Sequence, residues 1–326
     1  MTRGAIILLA LLVLASLLGL SAGQSWISPV DLIRDTLGGE GRGALILGSF
    51  RAPRVLVALG AGACLGLSGA LFQTLLRNPL ASPDLLGFNP GAALAVVMAT
   101  ALGIGVPMPL AAAAGGLGAG ALVALLAYSP GRATPPLVLI LVGLGVGVMA
   151  TSAGQFAMTR LPQSTAAEAQ RWLIGNLSGA SWPQVAQVWG LGLALALLAL
   201  GLSGRLAVLE LGEDLAAALG LRVERSRAAL ALTGVALAAT GVSVVGPVAF
   251  VALMAGPLGS RLTGARSVSG RLLSAMGAGA LILLLADVVG RSAVPAIELP
   301  AGIMTGILGA PYLLWRLSRE MERGGL

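Results

Sequence analysis

The chain has no lysine and no histidine, and it has a single cysteine. Each absence excludes a class of chemistry. Without lysine there is no GxxxxGK[ST] phosphate loop, so any ATP that drives this protein is bound by another subunit. Without histidine, and with only Cys64, His-based catalysis and Cys/His metal sites are closed off. An intrachain disulfide is impossible, and Cys64 lies in an apolar run, where it reads as a small packing residue. Charge is scarce as well, at 10% of residues, against about 25% in soluble domains.

Apolar residues fill the space, at 57% of 326 positions. In lipid that length accommodates about ten spans of roughly 20 residues. The formal charge of +7 comes from 20 basic residues, all arginine. They sit at the ends of apolar runs, the pattern of membrane anchoring rather than of nucleic-acid binding.

The first run, 4–22, is longer than a secretory core and reads as a span. Further spans are expected at 55–76, at 133–159 and at 172–204 after an interfacial stretch. Run 85–131 holds two, with a turn near GIGVPMP. Run 228–260 is broken at Gly246-Pro247 into one full and one short span, and 272–290 and 299–315 complete ten. GxxxG spacings at Gly62/Gly66, Gly116/Gly120 and Gly143/Gly147 predict close helix approach. The expectation is an all-α integral membrane protein with 1–326 as one transmembrane domain. With ten spans both termini share a side, and placing that side in the cytoplasm puts 13 of the 20 arginines there.

Four places break the apolar pattern. RNPLASPDLLGFNPGAAL, 77–94, carries three prolines, and non-helical backbone at membrane depth survives only when buried in protein or lining a wet cavity. Asp84 would cost roughly 2.5–3.5 kcal/mol at a bilayer centre. The stretch is either an ordinary loop or the lining of a pathway mouth. Segment 205–227 is unusually charged. Within it LGEDLAAALG reads as a short helix with Glu213 and Asp214 at its N-terminal end, Leu215 and Leu219 on one face, and Gly220 ending it in a left-handed turn. It is a solvated loop or a docking element for a partner. In SFRAPRVLV, Arg51 and Arg54 are interfacial anchors or a carboxylate-docking pair. Near the C-terminus Asp287 and Arg291, spaced i, i+4, are expected to pair, and Glu298 precedes Pro300 at a helix start.

These motifs, in this order, together with GPVAFVALM and ADVVGRSAVPAIELPAGIMTGILGAPYLLW, resemble the permease subunit of iron-siderophore, haem or vitamin B12 ABC importers. The resemblance covers nearly the whole chain. It implies a type II importer fold of ten helices per subunit, two permease subunits (identical or paralogous), two cytoplasmic ATPases and an extracytoplasmic binding protein, in a bacterial inner membrane. It implies no enzyme activity and no cofactor or metal bound by this chain, with ATP and Mg used by the partner ATPase. It implies that Arg51, Arg54 and Arg291 dock the binding protein. Glu210, Leu211, Gly212, Glu213, Asp214, Leu215, Ala218, Leu219 and Gly220 couple to the ATPase. Asn78, Leu80, Thr134 and Pro135 lie at the cytoplasmic gate, with Ser152 and Gln155 on the path. FVALMA resembles the siderophore branch, but where much of the family has Pro-His or Pro-Gln and then Arg, this chain has Gly256-Pro257, with Ser260 at the arginine position and Arg261 next. The expected cargo is a ferric siderophore, with haem or cobalamin as alternatives. An ion-coupled secondary transporter is the alternative of a different class.

Overall fold

Backbone amides in hydrocarbon have no water to bond, so a chain this apolar satisfies them within helices. The computed structural model describes residues 3–23, 26–28, 34, 45–83, 87–128, 136–294 and 297–322. Helices dominate these residues: α1 (Arg3–Ser21), a π turn (Leu47–Arg51) leading into α2 (Ala52–Leu75), α3 (Phe88–Ala101), α4 (Met108–Leu126), α5 (Pro136–Met158), α6 (Gln163–Leu173), α7 (Trp182–Gly201), α8 (Ser203–Glu210), α9 (Glu213–Ala218), α10 (Val223–Val245), α11 (Val251–Thr263), α12 (Val268–Ser292) and α13 (Ala301–Glu322).

Among the described residues, seven segments are long and apolar enough to cross a membrane: α1, α2 with its π turn, α4, α5, α7, α10 and α12. Helices α3, α11 and α13 occupy the other three places where spans are expected. At 13 residues α11 is about 20 Å long, short of a bilayer core. The expected break falls where Gly246 (φ +82°) ends α10 and Phe250 (φ +67°) starts α11. Helix α6 was not expected; its polar face carries Glu168 and Arg171 just before the interfacial stretch. Ser181 and Gln184 close a capping box at the start of α7.

Helix α2 is the axis of the bundle. Its most apolar window is 83% buried, against 22% for α1 and for α7. It packs against α12, α10, α11 and α7. A Cβ added at Gly62 would meet the Gly279 carbonyl oxygen at 2.4 Å, one at Gly279 would meet that of Gly62 at 2.2 Å, and one at Gly66 would meet that of Ala275 at 2.2 Å. Backbone touches backbone, so glycine is required. The other two GxxxG spacings act differently. Gly116 makes room for the Phe88 ring, the mutual close approach of α3 and α4 uses Gly91 and Gly115, and Gly147 sits at an ordinary 3.5 Å from Pro90.

Polar side chains add interhelical bonds. Ser68 Oγ donates to the Gly234 carbonyl at 2.6 Å, joining α2 to α10. Gln187 Nε2 donates to Ser243 Oγ at 3.0 Å, joining α7 to α10. Thr263 and Ser274 hydroxyls meet at 2.7 Å between α11 and α12. Such bonds add to small-residue packing where lipid supplies no hydrophobic drive between helices.

Gly62→Ala or Gly279→Ala forces α2 and α12 apart and is expected to destabilise the protein by about 1–3 kcal/mol. Gly118→Ala and Gly145→Ala, where a Cβ meets open space, leave stability unchanged. Thermal unfolding of the four variants in detergent checks the contrast.

Candidate functional site

Three places carry the functional residues, and α2 orders them. Arg51 and Arg54 stand at its N-terminal end, and the 77–94 break follows its C-terminal end. A third place is the cleft between α3 and α5.

At the first end charges gather inside the protein. Arg54 holds Asp287 with Nε 3.0 Å from Oδ1 and Nη2 3.0 Å from the same oxygen, and its Nη1 lies 3.1 Å from Glu298 Oε2. Arg291 pairs with Asp287 at 3.4 Å, as its i, i+4 spacing predicts. Arg51 Nη1 donates to the carbonyls of Leu20 and Ser21, both at 2.8 Å, and Arg291 Nη2 donates to that of Gly19. Two cations therefore cap the last turn of α1, where orphan carbonyls and the helix dipole favour positive charge. Asp287 is 1% exposed, Arg291 5% and Arg51 7%. All three arginines expected at a docking surface are thus brought together, but as members of one internal network. Glu298, at 36% side-chain exposure, is its most open acid. Partial burial pushes the Glu298 carboxyl up, but the hydrogen bond and charge of Arg54, the Ser178 hydroxyl and the charge of Arg291 outweigh it and hold it below the usual glutamate range.

At the other end of α2, Arg77 takes a left-handed conformation (φ +49°). Asn78 Oδ1 accepts from the Leu80 amide at 2.9 Å, closing an Asx turn. Arg77 Nη2 donates to the Leu209 carbonyl at 2.7 Å, which ties the break to the last turn of α8. Glu210 pairs with Arg271 of α12, and Glu213 with Arg227 of α10 at 2.6 Å. Gly212 (φ +119°) and Gly220 (φ +83°) bracket α9, whose acids lie in its first turn. Buried Leu206, Leu209 and Ala216 seat this segment. Leu211, Leu215 and Leu219 face outward at 59%, 49% and 62% exposure, and Gly212, Asp214 and Ala218 lie among them.

Within the 77–94 stretch, Gly87 (φ +72°) starts α3 within reach of α5, its added Cβ 3.0 Å from the Gly143 carbonyl, so residues 88–94 are helical rather than part of the break. A cleft of about 440 Å³ opens there, lined by Pro90, Thr151, Ser152 and Gln155. A second of about 400 Å³ shares Thr151 and Gln155 and adds Gln170. Ser152 and Gln155 are therefore both cleft residues. Sequence reasoning missed Thr151 and Gln170; the signal for Thr151 was its place one helical turn before Gln155. Asp84, Thr134 and Pro135 lie outside the described residues.

Asp287→Asn leaves two buried guanidinium groups short of a counter-charge and is expected to cost about 3–5 kcal/mol. Glu298→Gln, at the open edge, costs at most about 1 kcal/mol. Because the Glu298 pKa is depressed on folding, its contribution is full above the ordinary glutamate value of 4.5 and is lost as pH falls through the lowered one. Natural protein and Glu298→Gln therefore converge in thermal stability only in acid below about pH 4.5.

Known proteins resemble this chain over almost its whole length. The model of the FecCD transport family matches residues 10–319. The Fe(3+)-citrate import system permease protein of Bacillus subtilis is 35% identical over 98% of this chain and 95% of its own. The vitamin B12 import system permease protein of Yersinia enterocolitica is also 35% identical, over 96% of this chain and 91% of its own. An inward-facing structure of a metal-chelate type ABC transporter superposes with a TM-score of 0.82 at 28% identity, covering 97% of this chain and 98% of that one. With seven long apolar segments among the described residues and a family match over nearly its whole length, the chain belongs to the FecCD transport family of ABC importer permeases.

Proposed function

We propose that this chain forms half of the translocation path for a ferric siderophore, with ATP binding and hydrolysis in a partner subunit driving alternating access. One observation carries the mechanism: the Arg77–Leu209 hydrogen bond joins the 77–94 break to the segment that presents Leu211, Leu215 and Leu219. An exposed apolar trio on a short helix, rimmed by Glu213 and Asp214, suits a groove on a cytoplasmic ATPase. A push there reaches Arg77 through one turn of α8, and from Arg77 it reaches Asn78 and Leu80. On this reading the break is the inner gate, with Thr134 and Pro135 as its second part. Pro79 and Pro83 keep the backbone out of α-helix where the path must close, while Pro90 sits in the first turn of α3.

Ser152 and Gln155 line the path on α5. The same helix exposes Leu141, Leu144, Val148 and Met149, which a second permease copy, identical or paralogous, would cover. At the far end an extracytoplasmic binding protein would reach the arginine cluster through Arg54, its carboxylates competing with Glu298. Arg51 and Arg291 would hold Arg54 and Asp287 in place behind it. The arginine bias supports a cytoplasmic α8–α9 end in a bacterial inner membrane.

The iron-chelate assignment rests on the FVALMA resemblance and on the Fe(3+)-citrate relative. The vitamin B12 relative at equal identity keeps cobalamin as the second reading.

The test reconstitutes the chain with its ATPase and binding protein in proteoliposomes and follows iron-55 siderophore uptake and ATP hydrolysis together. Arg77→Met is expected to keep ATPase assembly and hydrolysis while uptake falls roughly tenfold, since a hydrogen bond from a charged donor contributes about 1.5–3 kcal/mol. Leu215→Asp/Leu219→Asp loses both. Uptake driven by a proton gradient without the ATPase would overturn the reading in favour of a secondary transporter.

A further inference from the structure

The Gly256-Pro257 departure has a structural consequence. Gly256, Pro257, Ser260 and Arg261 all line one cavity of about 300 Å³ where α11 meets α2, α12 and α13. Pro257 has no amide hydrogen, so the Leu253 carbonyl four residues earlier is left without its helical donor. Gln73 Nε2 takes that place at 2.9 Å. The Gln73 carbonyl oxygen then lies where a side chain at 256 would begin, 2.3 Å from an added Cβ, and glycine keeps the cavity open.

Three guanidinium groups converge on this space, from Arg261, Arg271 and Arg316 on three different helices. Among the described residues the carboxylate paired there is that of Glu210, on Arg271. The Nε atoms of Arg271 and Arg316 are buried without a hydrogen-bond partner among the described residues. Moving arginine from position 260 to 261 rotates it by about 100° around the helix. That rotation sets Arg261 over the Trp315 ring, 5.1 Å from its centroid, with Arg319 at 5.4 Å from the same ring. Tryptophan flanked by arginines marks a membrane–water interface. Beside it, Leu314 and Leu262 are exposed at 68% and 37%. A cationic cavity with an apolar rim, at the depth of lipid headgroups, matches an amphiphile whose polar end is an anion.

We propose that this cavity binds the phosphate of an anionic phospholipid headgroup. Arg261, Arg316 and Ser260 hold the phosphate oxygens, and the acyl chains run over Leu262 and Leu314. Basic pockets between transmembrane helices are suited to such headgroups. The inference does not depend on the cargo or on the coupling mechanism. An inorganic phosphate ion shares the binding chemistry, so the experiment separates the two sources.

The purified full chain in mild detergent is titrated with phosphatidylglycerol, with phosphatidylcholine or with inorganic phosphate. Bound copies are counted by native mass spectrometry, and thermal unfolding is followed in parallel. Phosphatidylglycerol is expected to be retained and to raise the unfolding temperature, with neither effect from phosphatidylcholine. Arg261→Gln and Arg316→Gln, tested singly so that either folded variant suffices, weaken retention roughly fivefold each. Arg266→Gln, which removes an exposed arginine outside the cavity, leaves it unchanged. Equal retention of both lipids, or equal loss in the Arg266 variant, overturns the proposal. Stabilisation of the same size by inorganic phosphate, lost in the same two variants, overturns the lipid source. The thermal shift of the natural chain needs no variant, so misfolding of both mutants does not shield the proposal.

Discussion

Contact between the backbones of α2 and α12 governs the rest of the structure. Lipid gives helices no hydrophobic reason to associate with one another, so closeness must come from surfaces without side chains. Gly62, Gly66 and Gly279 supply it, with carbonyl oxygens where any Cβ would stand. Two long antiparallel helices held this closely behave as one rod. Their ends set the two charged regions: Arg54 with Asp287 at one end, and the Arg77 break beside the Glu210–Arg271 pair at the other.

The buried charges at the first end follow from that rod. An isolated Asp287 in an apolar bundle would be costly, and so would an isolated Arg291. Together with Arg54 they form a network in which Arg291 also donates to the Gly19 carbonyl at the end of α1. Arg291 thus serves both the ion pair and the helix cap. Arg51 completes the cap on Leu20 and Ser21. On the proposed function, an external partner would reach the cluster through the Arg54–Glu298 edge, where Glu298 is its most open acid.

Much of this was legible in the sequence, and the parts that were not share one cause. Charge-free runs located the spans because a bilayer filters composition along one coordinate. The α9 helix was legible in detail, down to the left-handed Gly220, because caps and glycine turns are local. The Asp287–Arg291 pair was local too. The Arg54–Asp287 bond joins positions 233 apart, and it depends on how two helices are rotated about their axes. No periodicity reports that rotation. The same limit separates the three GxxxG spacings: each allows close approach, but Gly62/Gly66 meets α12 with added-Cβ distances of 2.4 and 2.2 Å, whereas the Gly87 approach to Gly143 stands at 3.0 Å. Arg77 belongs with the illegible part. Its sequence neighbours mark a turn, but nothing local points to a carbonyl on α8.

That long-range bond also decides where movement is possible. The α2–α12 rod is fixed by backbone contact, and α10 and α11 are tied to α2 through Ser68 and Gln73. The meeting of α3 with α5 is looser: a Cβ added at Gly147 would stand at an ordinary 3.5 Å from Pro90, and a cleft of about 440 Å³ lined by Thr151, Ser152 and Gln155 opens beside them. Packed interfaces resist small continuous deformation, so motion concentrates where packing is incomplete. On the proposed mechanism, force entering at α9 would meet the rod through Arg271 and the break through Arg77. The rod would not yield, so the displacement would pass into the connection between α2 and α3 and open or close the α3–α5 cleft. Pro79 would then help make the chain movable at that point, because a continuous helix from α2 into α3 would bind the cleft to the rod and leave it one shape.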